Sequence, residues 1–163
     1  RALEVTEAFF WTFCDDYLEL VKERAYSGGA AGASAAAALR EALAVLLRLL
    51  APVLVYATEE AWSWFQDGSV HTAEWPEPSG AASDPAVLAA ASEALIGIRR
   101  AKTEAKASQK TPVTSAAIAA PAAQAAALRL AERDLKAVGR IASLDIDEAD
   151  AFAVTSIELA EQE

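Results

Sequence analysis

The chain has no methionine, one cysteine and one histidine among its 163 residues, and its 14 basic residues face 24 acids. Each scarcity removes a class of function. A nitrogen- and sulfur-ligated metal centre needs His or Cys in multiples, and Cys14 and His71 stand alone and far apart. A lone cysteine cannot close an internal disulfide, which argues against a stapled secreted domain and fits the cytoplasm. A net charge of −10 argues against a simple nucleic-acid binder such as a DNA-binding domain. No run of 18 apolar residues lacks a charge and no signal peptide opens the chain, so no membrane partner is expected. Walker, GxGxxG and GxSxG signatures are all missing. The one glycine-rich stretch, SGGAAGAS at 27–34, is not followed by Lys-Ser/Thr and reads as a linker. No catalytic residue, metal site or cofactor is therefore assigned to this segment. Without an initiator, and with Arg1-Ala2-Leu3-Glu4-Val5 already helical in period and uncapped, the chain reads as an internal or C-terminal piece of a longer protein.

What is present is alanine, which favours helix, and a set of large aromatics gathered almost entirely in residues 9–75, where a core is expected. TFCDDYLELVKERAY (12–26) separates at period 3.6 into two faces. Phe10, Cys14, Tyr17, Leu18, Val21 and Ala25 make an apolar side, which places Cys14 as a small buried hydrophobe. Asp15, Asp16, Glu19, Lys22 and Glu23 make a solvated side with too few convergent oxygens for a cation cage. Residues 1–26 form the first helix, and Ser34 is a candidate N-cap for a second helix ended by Pro52. A third helix spans 53–68 and closes at Asp67-Gly68. These three pack as a partial antiparallel bundle, with Phe10, Tyr17, Leu46, Leu50 and Trp62 expected to be buried together.

The Pro/Gly/Ser-rich stretch 69–85 is the boundary, dividing the chain into 1–80 and 81–163. Asp84 caps a long helix with Pro85 at its first position, running to about Ala107. Then come a strand at 111–119, a helix at 121–139, and two segments, 140–148 and 151–159, that alternate at period two like an antiparallel hairpin. The fold class is mainly α, a partial helical bundle followed by a long helix and a small α+β unit in β-α-β-β order. The expected sheet is three-stranded and antiparallel, with Leu144, Ile146, Phe152, Val154 and Ile157 alternating toward one buried face. Charge is unevenly placed. Residues 95–110 carry Arg99, Arg100, Lys102, Lys106 and Lys110 against Glu104 alone, whereas Leu144 to Glu163 holds seven acids and no base.

FFWTFCDDYLELVKERAY (9–26), LAVLLRLLAPVLVYATEEAW (43–62) and SVHTAEWP (69–76), in that order, resemble the anticodon-binding region of the class I aminoacyl-tRNA synthetases. Within that class the valyl enzymes are the most similar, on the Phe-Cys-Asp-x-Tyr-Leu-Glu run followed by Lys and on IRRAKTEAKASQKTPV (98–113). The resemblance implies a parent that joins valine to tRNA(Val) with ATP and magnesium, through an aminoacyl-adenylate. The catalytic and editing domains would lie elsewhere in the same chain. It implies that this region helps read the anticodon. Leu18 would make apolar contact with a base, Lys22 a hydrogen bond or phosphate contact, and Tyr17 stacking or core support. Arg99, Arg100, Lys102 and Lys106 would contact phosphates. Two other readings stand beside this one. The first is a helical protein-interaction module presenting Trp62, Trp64 and Trp75. The second is the anticodon-binding domain of an isoleucyl or methionyl enzyme.

Overall fold

The sequence Ser27-Gly28 carries the first change of direction, and Gly28 makes it possible by adopting a φ of 71°. In a computed structural model describing residues 1–78, 80 and 83–160, α1 (Ala2–Thr12), a wider π-helical turn (Phe13–Tyr17) and α2 (Leu18–Tyr26) form one helical run up to that point. The next helix, α3 (Gly29–Leu50), begins five residues before the expected cap, so Ser34 lies inside it and the glycine-rich stretch is helical rather than a linker. Alanine at seven of the positions 29–38 explains why helix wins there. Pro52 follows its end, and α4 (Val55–Ser63) stops short of Gly68, whose φ of 74° belongs to the turn beyond.

By its contacts the chain divides into two compact units. The first is Arg1–Leu18 with Arg24–Ala82, and the second is Glu19–Glu23 with Ser83–Glu163.

In the first unit α1 lies against α3 and α3 against α4. Its core is Ala44, Leu47, Ala51, Trp62 and Val70, with Phe65 packed on it. The grouping expected from the helical wheel is only partly met. Leu46 and Trp62 are buried, but Phe10, Tyr17 and Leu50 are half-exposed. The π turn supplies a reason within the first helical run. One added residue rotates everything after it by about 100°, so faces read at a constant 3.6 period do not continue past Phe13. Leu20 and Val21, which belong to the second unit, are buried. α3 is long and apolar enough to cross a membrane by length and composition, yet Ala44 and Leu47 join the α4 core.

The TEEAW stretch works as a fastener. The Thr58 hydroxyl donates to the Leu54 carbonyl at 2.9 Å, the Glu59 carboxylate accepts from Ser69 Oγ at 2.8 Å and from the Val70 amide at 3.0 Å, and Trp62 fills the core. His71 Nε2 lies 3.1 Å from the Val55 carbonyl oxygen, so the sole histidine secures the 69–73 turn to α4.

The second unit opens at α5 (Pro85–Glu104), where Asp84 accepts from the Ala86 amide at 2.9 Å with Pro85 in the first turn, as expected. After it come β1 (Val113–Ala120), α6 (Ala122–Gly139), β2 (Ile141–Glu148) and β3 (Ala153–Leu159). The expected hairpin does not form. The strand order is β2-β1-β3, with β1 parallel to β2 and antiparallel to β3, so the sheet is mixed rather than antiparallel. Residues 149–152 pass over the end of β1, where the Ala149 amide donates to the Ala120 carbonyl at 2.9 Å. Four residues suffice, because two strand spacings measure only about 9.5 Å. Period-two alternation identifies strands but not partners, and here β1 supplies a ladder to both.

α5 packs on β3 and α6, and α6 on β1 and β2. Leu95, Ile98, Val113, Ile118, Leu128 and Leu135 are almost completely buried. Of the alternating set, Leu144 is buried while Ile146, Phe152, Val154 and Ile157 are half-buried. Gly97 permits the closest approach. A Cβ there would sit 2.6 Å from Val154 Cγ2.

Candidate functional site

Of the residues that the sequence groups, Lys22, Arg99 and Lys102 line one cleft, and Arg100 and Lys106 do not. Tyr17 is half-buried with its ring stacked on Phe13, centroids 5.6 Å apart at 25°, so its aromatic face is engaged within the helix. Leu18 is half-buried. Lys22 is exposed, and its Nζ lies 2.6 Å from Glu19 Oε2. An exposed pair one turn apart is worth well under about 1 kcal/mol, so a stronger anion can draw Lys22 away.

The four cations at 99, 100, 102 and 106, three on α5 and Lys106 in the turn after it, differ in their surroundings. Arg100 is exposed and donates to Glu104 at 2.8 Å, a bond and charge that raise its already high pKa. Arg99 is half-buried and Lys106 exposed. Lys102 is 1% exposed, and its Nζ donates to three carbonyls, those of Thr111 and Gly139 at 2.8 Å and of Gln109 at 3.1 Å. The phosphate contact expected of Lys102 is therefore withdrawn, since all three ammonium donors are used inside. Burial first, and Arg140's charge second, pull its pKa below the ordinary lysine value. Three carbonyl acceptors favour the charged form and oppose this shift.

Lys102 ties the end of α5 to the 109–111 loop and the end of α6. At that junction lies a cleft of about 350 Å³, wholly within the second unit, whose lining includes Glu19, Lys22, Arg99, Lys102, Lys110 and Arg140. Arg140 Nη1 donates to the Lys110 carbonyl at 3.1 Å. Arg140 is absent from the residues picked out by sequence, although a signal exists. Arg129, Arg133, Lys136 and Arg140 recur at spacings of four, three and four, one face of α6 continued to its cap.

Of the three tryptophans considered as a partner surface, Trp62 is core, while Trp64 and Trp75 are 75% and 65% exposed. Burial pushes the Cys14 thiol up from its ordinary value, with Asp15 adding to the shift, which fits the half-buried hydrophobe and not a reactive nucleophile.

Residues 1–118 match the family described as the anticodon-binding domain of tRNA ligase. The chain belongs to that family. Both this anticodon-binding domain and the residues C-terminal to it align with curated valine–tRNA ligases. The Leifsonia xyli enzyme is 56% identical over 99% of this chain and 19% of its own length. The Thermobifida fusca enzyme is 51% identical over 100% and 19%, and that of Salinispora tropica is 48% identical over 92% and 20%. The chain thus spans about a fifth of the length of these relatives.

Proposed function

We propose that this chain is the anticodon-binding region of a valine–tRNA ligase, whose cognate partner is tRNA(Val). The observation that carries the reading is similarity to valine–tRNA ligases that extends beyond the family match, through α6, β2 and β3 to the end of the described residues. The complete protein would attach valine to tRNA(Val) with ATP and magnesium. Among the described residues no group of three His, Cys, Asp or Glu could hold a metal ion, and no residue here is given a role in that chemistry. The proposed compartment is the cytoplasm, supported by a single cysteine without a disulfide partner.

In this reading the chain recognises splayed anticodon bases. Leu18 offers apolar contact and Lys22 a charge-assisted hydrogen bond, while Tyr17 supports the helix through Phe13. Arg99, Arg100 and Lys106 contribute phosphate contacts, which position the RNA without reading it. Lys22→Ala in the full-length protein should weaken aminoacylation of tRNA(Val) by about 1.5–3 kcal/mol, the worth of a charge-assisted contact. Valine-dependent ATP–pyrophosphate exchange should hold steady. Equal damage to both activities, or none to charging, would remove Lys22 from the recognition surface.

A further inference from the structure

We propose that the cleft between the ends of α5 and α6 holds a backbone phosphate of the tRNA, through Arg99, Lys110 and Arg140. This adds a phosphate contact to the proposed base contacts, in a cleft whose lining also includes Lys22. It rests on the reading of the chain as a tRNA-binding region.

Three independent observations converge on it. The first is charge. The lining carries five cations (Lys22, Arg99, Lys102, Lys110 and Arg140) and one anion, Glu19, which Lys22 already neutralises. That is a concentrated positive spot on a chain of net charge −10. Among the described residues Arg99, Lys110 and Arg140 have no carboxylate within 4.0 Å.

The second is backbone strain. Among the described residues only two that are not glycine take positive φ, Lys106 and Arg140, both at 54° and both in the turns that end helices. Glycine is the usual occupant there, and a side-chain-bearing residue costs about 1 kcal/mol. Gly139 stands one residue earlier, where its role is packing: a Cβ would meet Ile141 Cδ1 at 2.7 Å. Of the two, Arg140 lies in the lining of the cleft, so the left-handed cap brings a guanidinium there instead of a glycine.

The third is preorganisation. Lys102 clamps the carbonyls of Gln109, Thr111 and Gly139, and Arg140 Nη1 clamps that of Lys110, so the loop and the helix end are fixed before any ligand arrives. An anion meeting this cleft orders little and gains charge-assisted bonds. Two more open hollows follow along α6, one lined by Arg133, Lys136 and Glu23, the next by Arg129, Arg133, Lys136 and Glu132. Arg129 to Arg140 covers about 16 Å of helix, enough to follow several phosphates of one strand.

The test is tRNA binding by the full-length protein across a KCl series. Each lost phosphate contact should flatten the slope of log K against log salt by about 0.7–0.9. Arg99→Gln/Lys110→Gln/Arg140→Gln should therefore flatten it by about 2–3 and weaken cognate and anticodon-substituted tRNA by the same factor. Arg140→Lys should retain most of the slope. If Arg140→Gln does not fold by circular dichroism, Arg99→Gln/Lys110→Gln carries the test, with a flattening of about 1.5. Wild-type binding that discriminates anticodons, with a slope the substitutions do not change, overturns the cleft and leaves the anticodon reading intact. Absence of tRNA binding by the wild type overturns both. Inorganic phosphate shifting the Lys110 and Arg140 amide resonances, with the tRNA slope unchanged in the variants, overturns the RNA assignment in favour of a free-phosphate site.

Discussion

The first unit holds nearly all the aromatic mass and the second nearly all the deeply buried positions. Phe9, Trp11, Tyr26, Tyr56, Trp64 and Trp75 are exposed, whereas seven of the eight largest side chains below 2% exposure lie in the second unit, Thr58 being the exception. Size does not make a core. A mixed sheet with two helices offers broad matched faces, and alanines on α5, β1 and α6 let the backbones come close enough to exclude water. The helices of the first unit meet along narrower stripes and leave large groups at the surface. Exposed aromatic area of this kind is what an RNA-contacting or domain-contacting surface needs.

The units also report separately. All four tryptophans lie in residues 1–82, and Phe152 is the only aromatic after them, so tryptophan fluorescence follows the first unit alone. The largest effect expected is within that unit. Trp62→Ala should cost about 3–5 kcal/mol, while Trp64→Ala, two residues away, should change stability by less than about 0.5 kcal/mol. Urea melts followed by fluorescence check both. Comparable losses at the two sites would mean that Trp64 is not a surface residue.

Next comes Lys102→Met, which keeps the stem but leaves three carbonyls without a donor, at about 2–4 kcal/mol. The far-UV circular dichroism transition should move and the fluorescence transition should stay. A shift of both by equal amounts would show that the two units melt as one. Smaller again, Gly97→Ala places a methyl against Val154 and should cost about 1–3 kcal/mol, seen in the same dichroism melt.

The smallest effect is in pH. Because Lys102's folded pKa lies below its unfolded value, the unfolded state binds more protons between that lowered value and about 10.4. Stability should therefore rise as pH climbs through this window. Lys102→Met lacks the titration, so the wild-type gain relative to it over the same range isolates the effect.

The same contrast marks what the sequence discloses. Every helix and strand of the second unit is visible from caps and periods. Asp84-Pro85 opens α5, and the period-two runs mark β2 and β3. Strand partners are not visible, since alternation says which face a residue takes and nothing about its neighbour. In the first unit the π turn at Phe13–Tyr17 breaks the phase that the wheel assumes, so Phe10 before it and the residues after it do not share the one face that the wheel assigns. Lys102 and its neighbours form one basic stripe in sequence. Only the carbonyls of Gln109, Thr111 and Gly139, the last 37 residues away, separate a structural lysine from those proposed to meet RNA. Arg140 is hidden for the converse reason, because a left-handed cap beside Gly139 is where glycine is expected.

The most direct test is the affinity of the full-length protein for tRNA(Val) transcripts with single anticodon-base substitutions, measured at fixed salt. Losing one stacked or edge-bonded base should cost about 1–3 kcal/mol, roughly 5- to 150-fold in Kd. Equal affinity for every anticodon, at a salt concentration where binding is readily measured, would contradict the assignment of this chain to anticodon recognition.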